Sequence, residues 1–173
     1  EGLDLIKEQI EVCRKNNIRI NVYYSLMFDQ VLMQKIKEEF DVELDKMDDY
    51  EGPDDPPFPR AKWMQLNKAG IPRFEEMLYG KFCLNSPYIE EVAIPHIKEL
   101  LEYDIDGLWF DICRQEECYC EYCKPLHEKW GLDLEKSEDR IRLVSLTINN
   151  WLTKILKVIR DKKPNIEVFC NTI

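Results

Sequence analysis

The chain has 173 residues, 45% of them apolar and 34% charged, which is one domain's worth of sequence and enough to bury a core. Its formal net charge of −10 argues against nucleic acid and anionic membrane as partners, because phosphate binding needs clustered Lys and Arg. No apolar run approaches the ~20 residues of a membrane span, and seven cysteines cannot all pair within one chain, so reduced thiols and a cytoplasmic location are expected.

In chain order, Leu3, Ile6, Ile10 and Cys13 recur at helical spacing among Glu, Lys and Arg, predicting an amphipathic helix over 3–16 that stops at Asn16-Asn17. Ile18, Ile20, Val22, Tyr23 and Tyr24 then form a β-rich run, with Ser25, Met27 and Asp29 at its C-terminal mouth. Residues 30–40 read as a second helix with Val31, Ile36 and Phe40 as core contacts. The acidic, Pro-rich stretch 41–60 has no periodicity and is expected to be an excursion loop, which Trp63, Asn67, Gly70 and Pro72 continue without a clear element.

Ser86-Pro87 is a helix start, with Ser as N-cap and Pro in the first turn. Ile89, Val92, Ala93, Ile97, Leu100 and Leu101 give that helix a core face, and Pro95 inside it should kink it. Asp106-Gly107 opens the apolar run Leu108-Trp109-Phe110, a strand expected to be buried on both faces, and Asp111 ends it with a charge. An unpaired carboxylate costs several kcal/mol to bury, so Asp111 belongs at the strand's mouth. In parallel α/β folds that end of a strand is where ligands bind.

Cys118, Cys120 and Cys123 follow as C-x-C-x-x-C, a spacing that suits a metal better than a set of disulfides. A short helix over 122–130 closes on Gly131. Ser137 to Lys163 is the strongest helix, with Ile141, Val144, Ile148, Leu152, Ile155 and Ile159 as its stripe and Pro164 as its end. Ile166 to Cys170 is a third strand, with Asn171 and Thr172 at its mouth. The alternation defines an α/β chain with a parallel sheet of βαβ units.

The run Cys83-Leu84-Asn85-Ser86-Pro87-Tyr88, the strand Asp106 to Asp111 and the cluster Cys118-Tyr119-Cys120-x-x-Cys123 together resemble the middle of a (β/α)8, or TIM-barrel, glycoside hydrolase. The likeness is to a group of hypothetical glycosyl hydrolases related to the α-L-fucosidases and to the family 42 β-galactosidases, and it covers most of residues 3–130. In the β-galactosidases a comparable cysteine run follows the fourth strand, and an upstream cysteine in a C-x-x-S-P context completes a zinc site. The matching residue here is Cys83. In the fucosidases a Trp-Phe-Asp at the end of the fourth strand carries the nucleophile, which Trp109-Phe110-Asp111 matches. Ile18 to Ser25 resembles the preceding strand.

The resemblance implies a carbohydrate-active hydrolase that cleaves O-glycosidic bonds with retention. It makes Asp111 the catalytic nucleophile and a structural zinc the cofactor, on Cys83, Cys118, Cys120 and Cys123. The β-galactosidase pattern ends its fourth strand with Asn-Glu where this chain has Phe110-Asp111, so no acid/base residue carries over, and the fucosidase pattern lacks the cysteine cluster. About three of a barrel's eight strands fall within residues 1–173, which reads as a central portion, a fragment, of such a domain. Exposed strand edges would then favour a homo-oligomer.

By position, Asp29, Arg114, Glu116 and Asn171 are candidate contacts for a glycoside, oligosaccharide or polysaccharide. Glu116 or Glu117 could also be the second carboxylate that glycoside hydrolysis needs. His127, four residues after Cys123, and Cys113 are alternatives to Cys83 as fourth metal ligand. Tyr23, Tyr24 and Trp109 suit a core or barrel lining, Cys13 and Cys170 suit the core, and His96 should face outward. The competing reading is a non-catalytic, zinc-stapled module that binds sugar or protein and rests on the cysteines alone.

Overall fold

A computed structural model describes residues 3–29, 31–32, 63–70, 72–75, 79–113 and 115–171. Its centre is a three-stranded parallel sheet of β1 (Asn21–Ser25), β4 (Gly107–Asp111) and β5 (Glu167–Cys170), in that spatial order. Tyr23, Trp109 and Phe169 are register partners across the three strands, as are Tyr24, Phe110 and Cys170. Because side chains alternate along a strand, these two rows point to opposite faces.

The even row joins the core. Leu108 and Phe110 are fully buried, and Val22, Tyr24, Val168 and Cys170 pack against the same cluster. Phe110 meets Tyr24 and Trp151 edge-on, at centroid distances of 6.1 and 6.2 Å. The odd row is open, with Tyr23 54%, Trp109 48% and Phe169 45% exposed. The expectation that the 106–111 strand is buried on both faces is therefore corrected, because within the described residues the helices cover one face only. A barrel wall has sequential strand order with helices on one face, and this sheet shares both features, whereas a doubly wound sheet places helices on both faces. A complete barrel is not among the described residues.

Helix α1 (Leu5–Lys15) starts where the Asp4 carboxylate accepts the Lys7 amide at 3.0 Å, and ends at Asn16, with Asn17 in the left-handed region. Ile10 is its buried contact and Ile6 packs beside it, while Leu3 and Cys13 do not reach the core as expected: Leu3 is exposed and Cys13 half-buried. Arg14 fixes the helix to the loop before β4. Its guanidinium bonds Asp104 at 2.8 Å and Asp106 at 2.7 Å, and Asp106 also accepts the Ile20 amide at 2.7 Å. These contacts lie at the N-terminal end of the sheet, the end where a barrel keeps stabilising residues.

Between β1 and β4 the chain is more structured than its sequence suggested. Phe74–Glu75 (β2) and Tyr79–Gly80 (β3) form an antiparallel pair, extended by bridges Phe28 to Lys81, Met64 to Phe82 and Leu66 to Pro72. Met64 and Phe82 are buried in the same core as Leu108 and Phe110, so this excursion packs onto the main core. Val31, expected inside, is exposed, and Leu32 takes the buried place. Ile36, Phe40 and the acidic stretch 41–60 lie outside the described residues.

Ser86 caps as expected, its hydroxyl donating to the Cys83 carbonyl at 2.7 Å and accepting the Tyr88 amide at 3.3 Å. The kink expected at Pro95 takes a specific form. Residues Ile89–Ala93 make a π-helical turn, and α2 (Ile94–Leu100) follows with Pro95 in its first turn. The Ile94 amide reaches back five residues to Ile89, a widening placed directly before a ring that would crowd a regular helix.

Helix α3 (Lys124–Trp130) closes on Gly131 at φ +63°, and α4 (Ser137–Lys162) returns the chain to β5. The stripe of α4 is rotated from the expected one. Leu143, Thr147, Trp151, Ile155 and Ile159 are buried at a strict spacing of four, and Ile141 is exposed. Trp151 and Thr147 draw the helix round, since an indole buries more apolar surface than any isoleucine offers.

Candidate functional site

Two constellations lie at the C-terminal end of the sheet or on the loop that leaves it. The first surrounds Asp111, where β4 ends. Its Oδ1 accepts the Ile112 amide at 2.8 Å and the Asn171 side-chain amide at 2.9 Å, and its Oδ2 accepts the Tyr23 hydroxyl at 2.9 Å. One donor thus comes from each flanking strand region and one from the turn after Asp111 itself. The Tyr23 hydroxyl, then the Ile112 and Asn171 amides, hold the Asp111 carboxyl below its ordinary value against a modest opposing effect of burial. It is an ionised group at neutral pH.

The turn is strained. Ile112 has φ +54°, a region that a β-branched residue enters at a cost of order 1–3 kcal/mol. That conformation aims the Ile112 amide at Asp111 and returns Cys113 to the core, where it is buried with its thiol on the Phe110 carbonyl at 3.5 Å. Burial, then the neighbouring Cys170, pushes the Cys113 thiol up, so it stays protonated. Burial, then Asp111, likewise raises Tyr23.

The second constellation is the thiol cluster. Cys83, Cys118, Cys120 and Cys123 are buried, none is in a disulfide, and their four sulfur atoms lie within 4.8 Å of one another. The Cys83 sulfur is 3.4 Å from Cys123 and 3.7 Å from Cys120. With metal–sulfur bonds near 2.3 Å, a tetrahedral ion sets sulfurs about 3.8 Å apart, so the arrangement fits a metal ion. Donors surround it: the Leu66 amide is 3.4 Å from Cys118, the Asn85 amide 3.5 Å from Cys123, and Gln115 3.9 Å from Cys83. Such outer contacts orient ligands and offset thiolate charge.

Hydrogen bonds from Cys120, Cys123 and Cys83 pull Cys118 down, while burial and then its neighbours push Cys83 up. His127 and Cys113 are not in the group. The His127 ring stands edge-on to Tyr119 at 6.0 Å with its Nε2 buried and unpaired, and Cys113 belongs to the main core.

The other expected contacts are scattered. Both oxygens of Glu116 are held in ion pairs, by Lys81 at 2.6 Å and Arg73 at 2.9 Å, and Arg73 also reaches Glu117 at 3.3 Å. Glu116 and Glu117 therefore tie the loop after β4 to the β2–β3 excursion. Asp29 accepts the Leu32 amide at 2.8 Å and lines a pocket of about 280 Å³ with Trp63, Glu91 and His96. His96 is exposed, as expected, and lies 3.4 Å from the Tyr24 hydroxyl. Arg114 lies outside the described residues.

Sequence reasoning missed Tyr23 as a partner of Asp111 and missed Lys81 and Arg73 altogether. The first was within reach: strand alternation puts Tyr23 and Ser25 on one face of β1, and Trp109 and Asp111 on one face of β4.

The fold is related to that of a glycoside hydrolase, on its likeness to a solved structure. The chain is similar to alpha-L-fucosidase isoenzyme 2 from Paenibacillus thiaminolyticus, with 28% sequence identity and a TM-score of 0.72. The likeness covers 99% of this chain and 23% of that one, so the chain spans less than a quarter of the enzyme's length. No protein-family model and no curated protein matches it. Among the described residues no helix is long and apolar enough to cross a membrane.

Proposed function

We propose that this chain is a central portion of a (β/α)8 glycoside hydrolase domain, and that Asp111 is the nucleophile of a retaining enzyme acting on O-glycosides. The observation that carries the reading is the hold on Asp111: three donors fix its carboxylate at the mouth of the central strand, in the ionised form that attack requires. Asp111 attacks the anomeric carbon to give a glycosyl ester, and water then hydrolyses that ester with inversion at each step and net retention. Glu116, committed to Lys81 and Arg73, is not assigned as the acid that protonates the leaving oxygen.

The similarity to an enzyme named alpha-L-fucosidase makes an α-L-fucoside the first substrate to try. Asn171 serves through Asp111, and Asp29 is the sugar contact assigned to the pocket. Arg114 is assigned to the same mouth by sequence position alone. Cys83, Cys118, Cys120 and Cys123 hold one structural zinc, whose four thiolates leave no position for a substrate.

The test is Asp111→Asn in the full-length protein, assayed on a panel of 4-nitrophenyl glycosides that begins with the α-L-fucoside. We expect turnover of whichever substrate the wild type cleaves to fall by at least about a thousandfold, the scale of losing a catalytic group. Unchanged turnover would remove Asp111 from the chemistry. A wild-type protein that cleaves none of the glycosides would favour the alternative of a zinc-stapled binding module, which the wholly buried thiol cluster supports independently of Asp111.

A further inference from the structure

The two oxygens of Asp111 are not equivalent. An ionised carboxylate offers about four lone-pair sites, two on each oxygen. On Oδ1 both are filled, by the Ile112 amide at 2.8 Å and the Asn171 amide at 2.9 Å. On Oδ2 one is filled among the described residues, by the Tyr23 hydroxyl at 2.9 Å, and Tyr23 stands half exposed on the open face of the sheet. Among those residues, the less occupied oxygen is therefore also the one whose partner borders open space.

We propose that Oδ2 is the atom that attacks, and that Tyr23 is a catalytic residue acting mainly on the second step, hydrolysis of the glycosyl ester; this rests on the reading of Asp111 as nucleophile. In the first step the Oδ2–C1 bond forms, the C1–O bond to the aglycone breaks, and a carboxylic acid of the same enzyme protonates the departing oxygen. Charge leaves the carboxylate as that bond forms. Oδ1 becomes the ester carbonyl, an acceptor suited to the two amide donors already on it. Oδ2 becomes an ester oxygen, a poor acceptor, so its bond to the Tyr23 hydroxyl weakens.

In the second step water attacks C1, the same carboxylic acid, now ionised, takes its proton, and the Oδ2–C1 bond breaks with its electrons returning to Oδ2. The Tyr23 hydroxyl meets that returning charge, so its bond strengthens toward the transition state. An interaction stronger in the transition state than in the ground state accelerates the step, and one that weakens does not. Tyr23 thus speeds release of the sugar from Asp111 and slightly restrains its capture. The titratable groups facing Asp111 among the described residues are Tyr23 on β1 and Cys113 after β4. Both are held protonated, so neither changes charge where Asp111 titrates.

The experiment is Tyr23→Phe in the full-length protein, which keeps the ring and removes the hydroxyl, assayed on the 4-nitrophenyl glycoside that the wild type cleaves, the α-L-fucoside first. We expect kcat to fall roughly tenfold or more, as for loss of one hydrogen bond to a charged oxygen. KM should fall with it, kcat/KM should stay within about threefold, and a burst of 4-nitrophenolate should report accumulated glycosyl ester. The acid limb of kcat/KM should move up in pH, since a donor that favours the ionised form is gone. As a second variant, Asn171→Ala removes a donor from the ester carbonyl and should give no burst. Equal losses of kcat and kcat/KM in Tyr23→Phe, with no burst and no shift of the acid limb, would overturn the assignment of Tyr23 while leaving Asp111 in place. Unchanged turnover in Asp111→Asn would instead overturn the nucleophile and this inference with it.

Discussion

At the scale of single residues, two positions beside β4 show how closely the sheet is fitted around its mouth and base. Ile112 accepts a left-handed backbone so that its amide meets Asp111. Gly107 does the converse at the other end of the strand, where its lack of a side chain lets three strands close. A Cβ there would stand 2.3 Å from the Asn21 side-chain oxygen and 3.1 Å from the Glu167 carbonyl. The Asn21 side chain could turn away, but the carbonyl belongs to the backbone of β5 and can move only by opening the β4–β5 ladder. Gly107→Ala should therefore destabilise the fold by about 1–3 kcal/mol, the range for overpacking a filled site. The denaturant midpoint, at unchanged m-value, is the measurement, and an unaltered midpoint would mean that the ladder yields without cost.

At the scale of elements, the thiol cluster is a staple. It joins the segment that leads into α2, through Cys83, to the loop after β4, through Cys118 and Cys120, and to the start of α3, through Cys123. That loop is otherwise held by Glu116, Glu117 and the Tyr119 amide on Leu66 at 2.9 Å. If zinc occupies the cluster, its binding free energy counts toward folding and is of order 10 kcal/mol in small zinc domains. Chelation should then lower the melting temperature and free four thiols to titrate, and elemental analysis of the fresh protein should find one zinc per chain. Protein without zinc whose melting ignores chelators would remove the staple.

The cysteine spacing was legible because metal ligation constrains sequence locally, and only the choice of fourth ligand needed the fold. Helices α1 and α4 were legible from periodicity, the three strands from short β-rich or apolar runs, and α3 from its stop at Gly131. The β2–β3 pair was not, since two-residue strands carry no period. Nor was the rotation of α4, because Thr147 on its buried side breaks the apolar pattern. The ion pairs of Glu116 join residues 35 and 43 positions apart, which no local pattern encodes.

At the scale of the whole molecule, the odd row of the sheet sets the problem. Tyr23, Trp109 and Phe169 form a lateral row of half-exposed rings, and the outer edges of β1 and β5 have no neighbouring strand among the described residues. Along α1 and its flanking turns, Leu3, Leu5, Val12 and Ile18 are exposed as well. A row of rings beside unpaired strand edges is the surface that soluble proteins cover or blunt, because it templates pairing with another chain. In a closed barrel the further strands would pair both edges and enclose the rings, and the fucosidase that this chain resembles is more than four times its length. Residues 1–173 produced alone should therefore self-associate, with a sedimentation coefficient that rises with concentration. Trp109→Lys should weaken that association, by placing a charge in the centre of the row, without unfolding the helix-covered face. The same substitution in the full-length protein should instead be strongly destabilising, because there the residue would point into a packed interior. A monodisperse monomer of residues 1–173 that melts cooperatively, and a full-length Trp109→Lys variant as stable as its parent, would show that the open face needs no cover.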